Sequence, residues 1–373
     1  LYVTNVQEET VYKIMTGNGI DAQKLTTLLP YGYVLDEEKI TSNGNEVTIQ
    51  FKPDREAGQD TVIPNVIKNR DGELKEYVTE ISDNYVGDVE KVTNEINSYA
   101  NFAENLGVTR GAYDVANMVG DAINGHWDNR EAGENLWVVY AHNKEKVDGL
   151  SLGGGMKAKY DGKYDTLSLG LDLNDGFGIL FNYADGNVSN GLGHNDMEQY
   201  GLGVYARQKV GKFAIQEDLN YLYGKNELKH NSANTQITAD AKTDTISLGV
   251  TAELPYQVGK GRLTPFAGVR YINIDGRSYT DSLGVNREAD KVNMVVAPIG
   301  VKFDGKFALG DKDWSFRPYI AAGYSFNFGD RENDVTLSYN GAADTFGYDV
   351  ADSNVFFTKA GLEFSKKNLT LGL

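Results

Sequence analysis

Three observations predict an all-β fold, an up-and-down antiparallel barrel spanning a membrane. From Trp137 to the end of the 373-residue chain, apolar residues alternate with polar or small ones, the period of a strand with two unlike faces. The connections between these segments alternate between short and long, as they do when one rim carries tight turns and the other carries loops. The polar faces are rich in Gly, and Tyr and Phe gather near segment ends, where an interfacial belt would lie.

Residues 1–85 read as short strands between polar, Gly- and Asp-containing turns, with "VTIQFKP" (47–53) and "TVIPNVI" (61–67) the clearest. Residues 86–125 change period. Val89, Val92, Ile96, Tyr99, Ala100 and Ala103 recur at helical spacing, Gly107 is placed to end that helix, and Thr109 to cap a second. The second helix has Ala112, Val115, Ala116, Val119, Ala122 and Ile123 on one side and Asp114, Asn117 and Asp121 on the other. It is expected to stop near Gly125.

The strands follow. "YDTLSLGLDLNDG" places Leu167, Leu169, Leu171 and Leu173 on one face and Thr166, Ser168, Gly170 and Asp172 on the other. The same split runs through "FGILFNYADG", "QYGLGVYARQ", "DTISLGVTAELPY", "TPFAGVRYINI", "NMVVAPIGVKF", "SFRPYIAAGYSFNFGD" and "NVFFTKAGLEF". With "LWVVYAHNK", "FAIQEDLNYLYG" and "NLTLGL" the count reaches about eleven. Tight connections are expected at 174–176, 209–212, 258–262 and 304–313, and long polar ones after the odd-numbered strands. A soluble barrel of this size would need a larger apolar core than these residues can fill. The apolar faces are therefore expected to meet lipid, with the polar faces around a wet interior. Glu217 breaks this pattern, and is expected near an interface or beside a bulge that turns it inward.

Composition narrows the function. A net charge of −17 and a pI near 4.7 leave no basic cluster for nucleic acid. There are no cysteines and no thiolate chemistry. "GLSLG" (149–153) matches a nucleophile elbow, but a strand follows where a helix is needed, so Ser151 is read as part of a glycine-rich surface loop. His126, His142, His194 and His230 are scattered, so no zinc site is expected. "GLGVYA" (201–206) lies inside a strand and is no dinucleotide loop. No catalytic residue, metal or cofactor is expected. Asp172, Arg207, Glu253, Arg270, Lys302, Arg317, Lys359 and Glu363 fall on the inward faces and are expected to line the pore. Their mixed signs argue against strong ion selectivity. A diffusion porin is the rival reading, though it gives the helices no role. A barrel-type outer-membrane hydrolase is a weaker rival, with no nucleophile and base to assemble.

A helix, then "NLWVVYAHNKEKVDG", then "YDTLSLGLDL" leading into "GILFNYADGNV", with "LTPFAGVRY" and "RPYIAAGY" further on, resembles the translocator unit of classical type V autotransporters. The resemblance covers roughly 86–373. It implies a twelve-stranded barrel in the outer membrane of a Gram-negative cell, a helix threaded through its pore, and a passenger N-terminal to it at the cell surface. Residues 1–85 would be the end of the passenger, 86–133 the helical pore plug and 134–373 the barrel. Implied partners are the chain's own passenger, outer-membrane lipid and the barrel-assembly machinery, with the barrel monomeric. Some relatives cut their passenger free at an asparagine in the pore. Asn94, Asn97, Asn101 and Asn105 lie in the helical segment, but the paired-asparagine motif is absent, so an uncleaved, tethered passenger is expected. The chain opens at Leu1 without Met and ends at Leu373 inside a strand. It is expected to be part of a longer protein, lacking a twelfth strand and leaving a gap beside Trp137.

Overall fold

The computed structural model describes residues 12–16, 33–35, 41–42, 46–53, 73, 103–129, 135–151, 157–189, 193–232, 235–309, 314–339, 341–366 and 369–372. The expected strand at 61–67 and the helix turns at 86–102 lie outside them. Five short strands are described in the N-terminal region: β1 (Tyr12–Thr16), β2 (Tyr33–Leu35), β3 (Thr41–Ser42), β4 (Glu46–Ile49) and β5 (Phe51–Pro53). The segment at 47–53 is thus two strands, interrupted at Gln50. β1, β4 and β3 form one small sheet, and β2 pairs with β5.

Among the described residues, the long helix α1 (Ala103–Asn129) precedes the barrel. The expected break at Gly107 does not occur, and the helix runs past Gly125. A Cβ at Gly107 would sit 3.2 Å from Val188 Cγ1, so this glycine serves a close approach to a strand rather than a cap. Thr109 is inside the helix, and its hydroxyl meets Tyr348 instead of a backbone amide.

The barrel wall is β6 (Leu136–Ser151), β7 (Lys157–Asn174), β8 (Phe177–Ser189), β9 (His194–Val210), β10 (Phe213–Ser232), β11 (Thr235–Glu253), β13 (Gly261–Gly276), β16 (Val292–Gly305), β18 (Trp314–Gly329), β21 (Asn354–Lys366) and β22 (Leu369–Gly372). Short β12 (Tyr256–Val258) and β17 (Phe307–Leu309) extend the turns before β13 and β18. Neighbours pair antiparallel around the ring, and β11 pairs with β13 across the β12 turn. The eleven strands agree with the alternation in the sequence. The expected gap is bridged: Leu369–Gly372 pairs in parallel with Leu136–Val139. Parallel closure is what an odd count requires, because the first and last strands then run the same way. Above Val139, β6 has no second strand partner among the described pairings.

The rims differ from expectation in one respect. The tight turns are as read, and Gly211 and Gly259 take positive φ in two of them. On the other rim, the long polar stretches are mostly strand. β10 and β11 run on until only residues 233–234 separate them. Their outward residues simply change from apolar to charged, which keeps the period of two while leaving the membrane. "GLS" at 149–151 likewise belongs to β6, with a bulge between Asp148 and Leu150, and is not a loop. Two upper connections carry a separate sheet in the order β14 (Tyr279–Thr280), β15 (Asn286–Ala289), β19 (Glu332–Tyr339), β20 (Ala342–Asp349). Its core includes Val335, Leu337, Phe346 and Tyr348, and Arg287 donates to Asp281 at 2.9 Å with both side chains fully buried.

Burial confirms which face is which. Leu167, Leu169, Leu171, Ile179, Phe181, Leu202, Leu219 and Leu248 are exposed, whereas Ser168, Asn182, Asn220 and Ser247 are buried. An apolar outside over a polar inside suits lipid, not water. On β10 the apolar face runs from Phe213 to Tyr221, about 26 Å along the strand and roughly 20 Å in height at a usual tilt. Tyrosines mark its upper edge. Tyr140 donates to Asp165, Tyr221 to Asp244, Tyr200 to Glu198 at 3.1 Å and Tyr271 to Asn293 at 2.7 Å. Each ring lies on the apolar band while its hydroxyl meets a polar group. Glu217 faces outward without a bulge, midway between Phe213 and Tyr221 on that apolar face, so it is neither at an interface nor turned inward as expected; Gln208 donates to it at 3.1 Å and gives the carboxylate a polar partner there.

Many lumen glycines answer to neighbouring strands, not to the helix. A Cβ at Gly170 would fall 2.0 Å from the Trp137 ring, and one at Gly178 would fall 2.3 Å from the Tyr205 ring.

Candidate functional site

The interior of the barrel is the site, and α1 occupies it. Ala112, Val115, Ala116, Val119 and Ile123 recur at helical spacing and are fully buried, with Ala122 nearly so. Twenty-seven residues make a helix about 40 Å long. It packs against β6 to β11 and β13. Glycine at 107, 111 and 120 each costs a helix interior about 1 kcal/mol relative to alanine. The backbone approaches the wall at these points. A Cβ at Gly111 would come 3.0 Å from Met197 Sδ.

Polar contacts hold α1 at three heights. Near the loop rim, Thr109 Oγ1 lies 3.0 Å from Tyr348 Oη of the upper sheet. Arg110 makes a two-pronged pair with Glu145, at 2.5 and 3.2 Å, and its guanidinium lies over the Tyr160 ring. Tyr160 donates to Asp114 at 3.3 Å, and Tyr113 donates to Asn327 at 3.0 Å.

Midway, Arg270 of β13 reaches across β11 to β10. Its Nη1 and Nη2 donate to the two carboxylate oxygens of Asp218, at 2.7 and 2.8 Å. Fork-on-carboxylate geometry of this kind is the strong form of an ion pair. Two glycines make room for it. A Cβ on Gly120 of α1 would fall 2.0 Å from Arg270 Nη2, and one on Gly249 would fall 2.5 Å from the same atom. The helix therefore passes the Arg270 fork at the one residue type that leaves space. On the same side Asn124 donates to Thr251 of β11 at 3.3 Å, and away from it Lys359 of β21 donates to Asp121.

Near the tight-turn rim, His126 stacks on Trp137 with ring centroids 4.6 Å apart. Its Nε2 lies 3.0 Å from Asp172 Oδ2. Tyr205 donates to the other oxygen of Asp172 at 2.7 Å, and Trp137 donates to Tyr205 at 2.7 Å. The last turn of α1 is thus joined to β6, β7 and β9 by one buried network.

Below Thr251, charges of both signs cluster on the inner wall. Lys302 Nζ is 3.6 Å from Glu253 Oε1. Arg262 donates to Asp304 at 3.0 Å, and Arg317 approaches the same carboxylate at 3.9 Å. Arg317 is also directly across from Glu363 in the sheet.

The eight residues marked from the sequence divide by height. Asp172 and Arg270 belong to the helix contacts, as does Lys359, whose side chain is half-exposed. Glu253, Lys302, Arg317 and Glu363 belong to the lower cluster, with Arg207 on the same inner wall and partly buried. Of Asn94, Asn97 and Asn101 nothing is described, and Asn105 lies in the first turns of α1. Sequence reasoning missed His126, Trp137, Tyr205 and Asp218. Trp137 and Tyr205 lie on the inward faces of their strands, where an aromatic among small residues was the available signal. Among the described residues no group of side chains could hold a metal ion.

A family model described as the autotransporter β-domain matches residues 136–373. No curated protein matches the chain. Solved structures give likenesses of fold. The translocator domain of the autotransporter NalP from Neisseria meningitidis is 15% identical, with 68% of this chain and 96% of that one covered and a TM-score of 0.45. The transport unit of the autotransporter AIDA-I from Escherichia coli is 17% identical, with 68% and 87% covered and a TM-score of 0.47. The β-domain of the Bordetella autotransporter BrkA is 16% identical, with 64% and 96% covered and a TM-score of 0.40.

Proposed function

The chain belongs to the autotransporter β-domain family, and on that premise we propose that α1 is the tether that joins the barrel to a passenger outside the cell. The protein is an outer-membrane translocator, and the barrel carries its own passenger. Its work is transport and anchoring, not catalysis. The single observation behind the tether reading is that α1 runs inside the wall from the loop rim, at Thr109 and Tyr348, to the tight-turn rim, at His126 and Asp172. A chain entering at the cell surface and leaving beside β6 would follow that course. The eight inward charges then line the pore, three in contact with the tether and the rest below it. Residues 1–85 are the membrane-proximal part of the passenger, 86–133 the tether and 134–373 the barrel. Lipid of the outer membrane surrounds a monomeric barrel, which the barrel-assembly machinery inserts.

The passenger stays attached in this reading. Asn124 is engaged with Thr251 Oγ1 of the wall, which favours a helix that holds its place. The test is a gel of whole-cell protein with a reporter fused N-terminal to the chain and detected at both ends. One full-length band is expected. A separate band of barrel size, carrying no reporter, would contradict the tether.

A further inference from the structure

Two hairpins carry the same five-residue pattern on both strands. "YAHNK" (140–144) pairs with "KYDTL" (163–167), and "YLYGK" (221–225) pairs with "KTDTI" (242–246). The pairing register makes them equivalent rung by rung. Tyr140 is across from Leu167 and Tyr221 from Ile246. His142 is across from Asp165 and Tyr223 from Asp244. Lys144 is across from Lys163, and Lys225 from Lys242. In both hairpins the first tyrosine donates to the aspartate of the next rung.

All four lysines point outward and are exposed. Like charges directly across from each other destabilise a strand pair. Among the described residues no carboxylate lies within ion-pair distance of any of the four, although most neighbouring outward charges are paired, such as Lys146 with Asp161 and Lys291 with Asp275. Two lysine rungs therefore stand at one height on a chain of net charge −17, with Glu198 of β9 across from Lys225 and Asp161 one rung beyond Lys144 and Lys163 as the nearest acidic neighbours on the wall. That height is set by the tyrosines. Four residues beyond Tyr140 or Tyr221 is about 13 Å along a strand and roughly 10 Å above the apolar edge at a usual tilt. The headgroup layer extends about 5–8 Å beyond the hydrocarbon, so lysine side chains reaching back from this height meet its outer part. The other hairpin of this part of the wall, β8–β9, has Asp185 across from Glu198 and Asn187 across from Asp196, so the pattern is not a general feature of the wall.

We propose that the Lys144–Lys163 and Lys225–Lys242 rungs are binding sites for the phosphate groups of outer-leaflet glycolipid. Each pair supplies two ammonium groups side by side to one anionic headgroup, and the tyrosine below meets the start of its acyl region. The inference rests on the outer-membrane placement of the barrel and not on what fills its pore.

The whole chain, folded in detergent, is mixed with bisphosphorylated lipid A or with the same glycolipid after phosphatase treatment, and bound lipid is counted by native mass spectrometry. Removing both lysines of one rung (Lys144→Gln with Lys163→Gln, or Lys225→Gln with Lys242→Gln) is expected to weaken binding of the phosphorylated lipid roughly thirtyfold at that site. One rung should be lost without the other, and Lys→Arg at the same positions should retain binding. Lys209→Gln with Lys212→Gln, at the opposite rim, should change nothing. The proposal is overturned if the dephosphorylated lipid binds equally well, if the rung variants bind as the parent does, or if inorganic phosphate competes at equal concentration. Resistance of each variant to unfolding in cold SDS shows that the barrel is intact. The two rungs are independent, so loss of folding in one leaves the other to decide.

Discussion

At the residue scale the central contact is the fork of Arg270 on Asp218. Both side chains are more than nine-tenths buried, so each charge depends on the other for compensation. Removing one partner of a buried pair typically costs about 3–5 kcal/mol, because the remaining charge is stranded. Asp218→Ala is therefore expected to lower clearly the temperature at which the folded barrel converts to the unfolded band on an SDS gel. Asp218→Asn, which keeps an acceptor oxygen, should fall between it and the parent. Equal melting of Asp218→Ala and the parent would show that water already reaches Arg270. The fork also shows where reading a sequence stops. Arg270 was legible as an inward charge because its strand alternates cleanly. Asp218 was not, because it adjoins Glu217 on the opposite face and the two acids in sequence do not say which one points inward. The clearance at Gly120 has no sequence signal at all, since it depends on which strand faces which turn of the helix.

At the element scale, the period of two was enough to find all eleven strands and to mark their outward faces. It was less informative about the upper connections. Polar stretches there look like loops, yet 225–232 and 235–244 remain paired strand after the outward residues turn from apolar to charged. The helix was legible as a helix, but its continuity was not. Gly107 next to Thr109 has the composition of a stop and a start, and only the nearness of Val188 explains why a glycine is there. If α1 fills the interior as proposed, deleting 103–129 from the chain should raise single-channel conductance in planar bilayers several-fold. It runs from the loop rim at Thr109 to the tight-turn rim at His126, so its removal empties the interior along that length. Unchanged conductance would mean that the lower charge cluster, not the helix, sets the constriction.

At the scale of the whole molecule, the structure is an apolar cylinder on the outside with a polar, charge-paired wall within, closed by a four-residue parallel rung between Leu369–Gly372 and Leu136–Val139. The apolar face of α1 buries Ala112, Val115 and Val119 in one cluster with Leu180, Val188, Met197 and Leu222 of the inner wall, so the helix is held by apolar burial together with polar contacts at three heights. That arrangement predicts where α1 must lie when the protein sits in its membrane, and the absence of native cysteine makes the position directly measurable. A Cβ built at Gly107 lies 3.6 Å from Val188 Cβ, within the range that a disulfide spans. The decisive measurement is the extent of disulfide formation in Gly107→Cys with Val188→Cys, carried out on intact cells with a mild oxidant and read by mass mapping of the linked peptides. Near-complete linkage between residues 107 and 188 is the expected result, with none for Gly107→Cys combined with Leu169→Cys on the lipid face. Free thiols at both positions in a folded barrel would contradict a helix inside the pore.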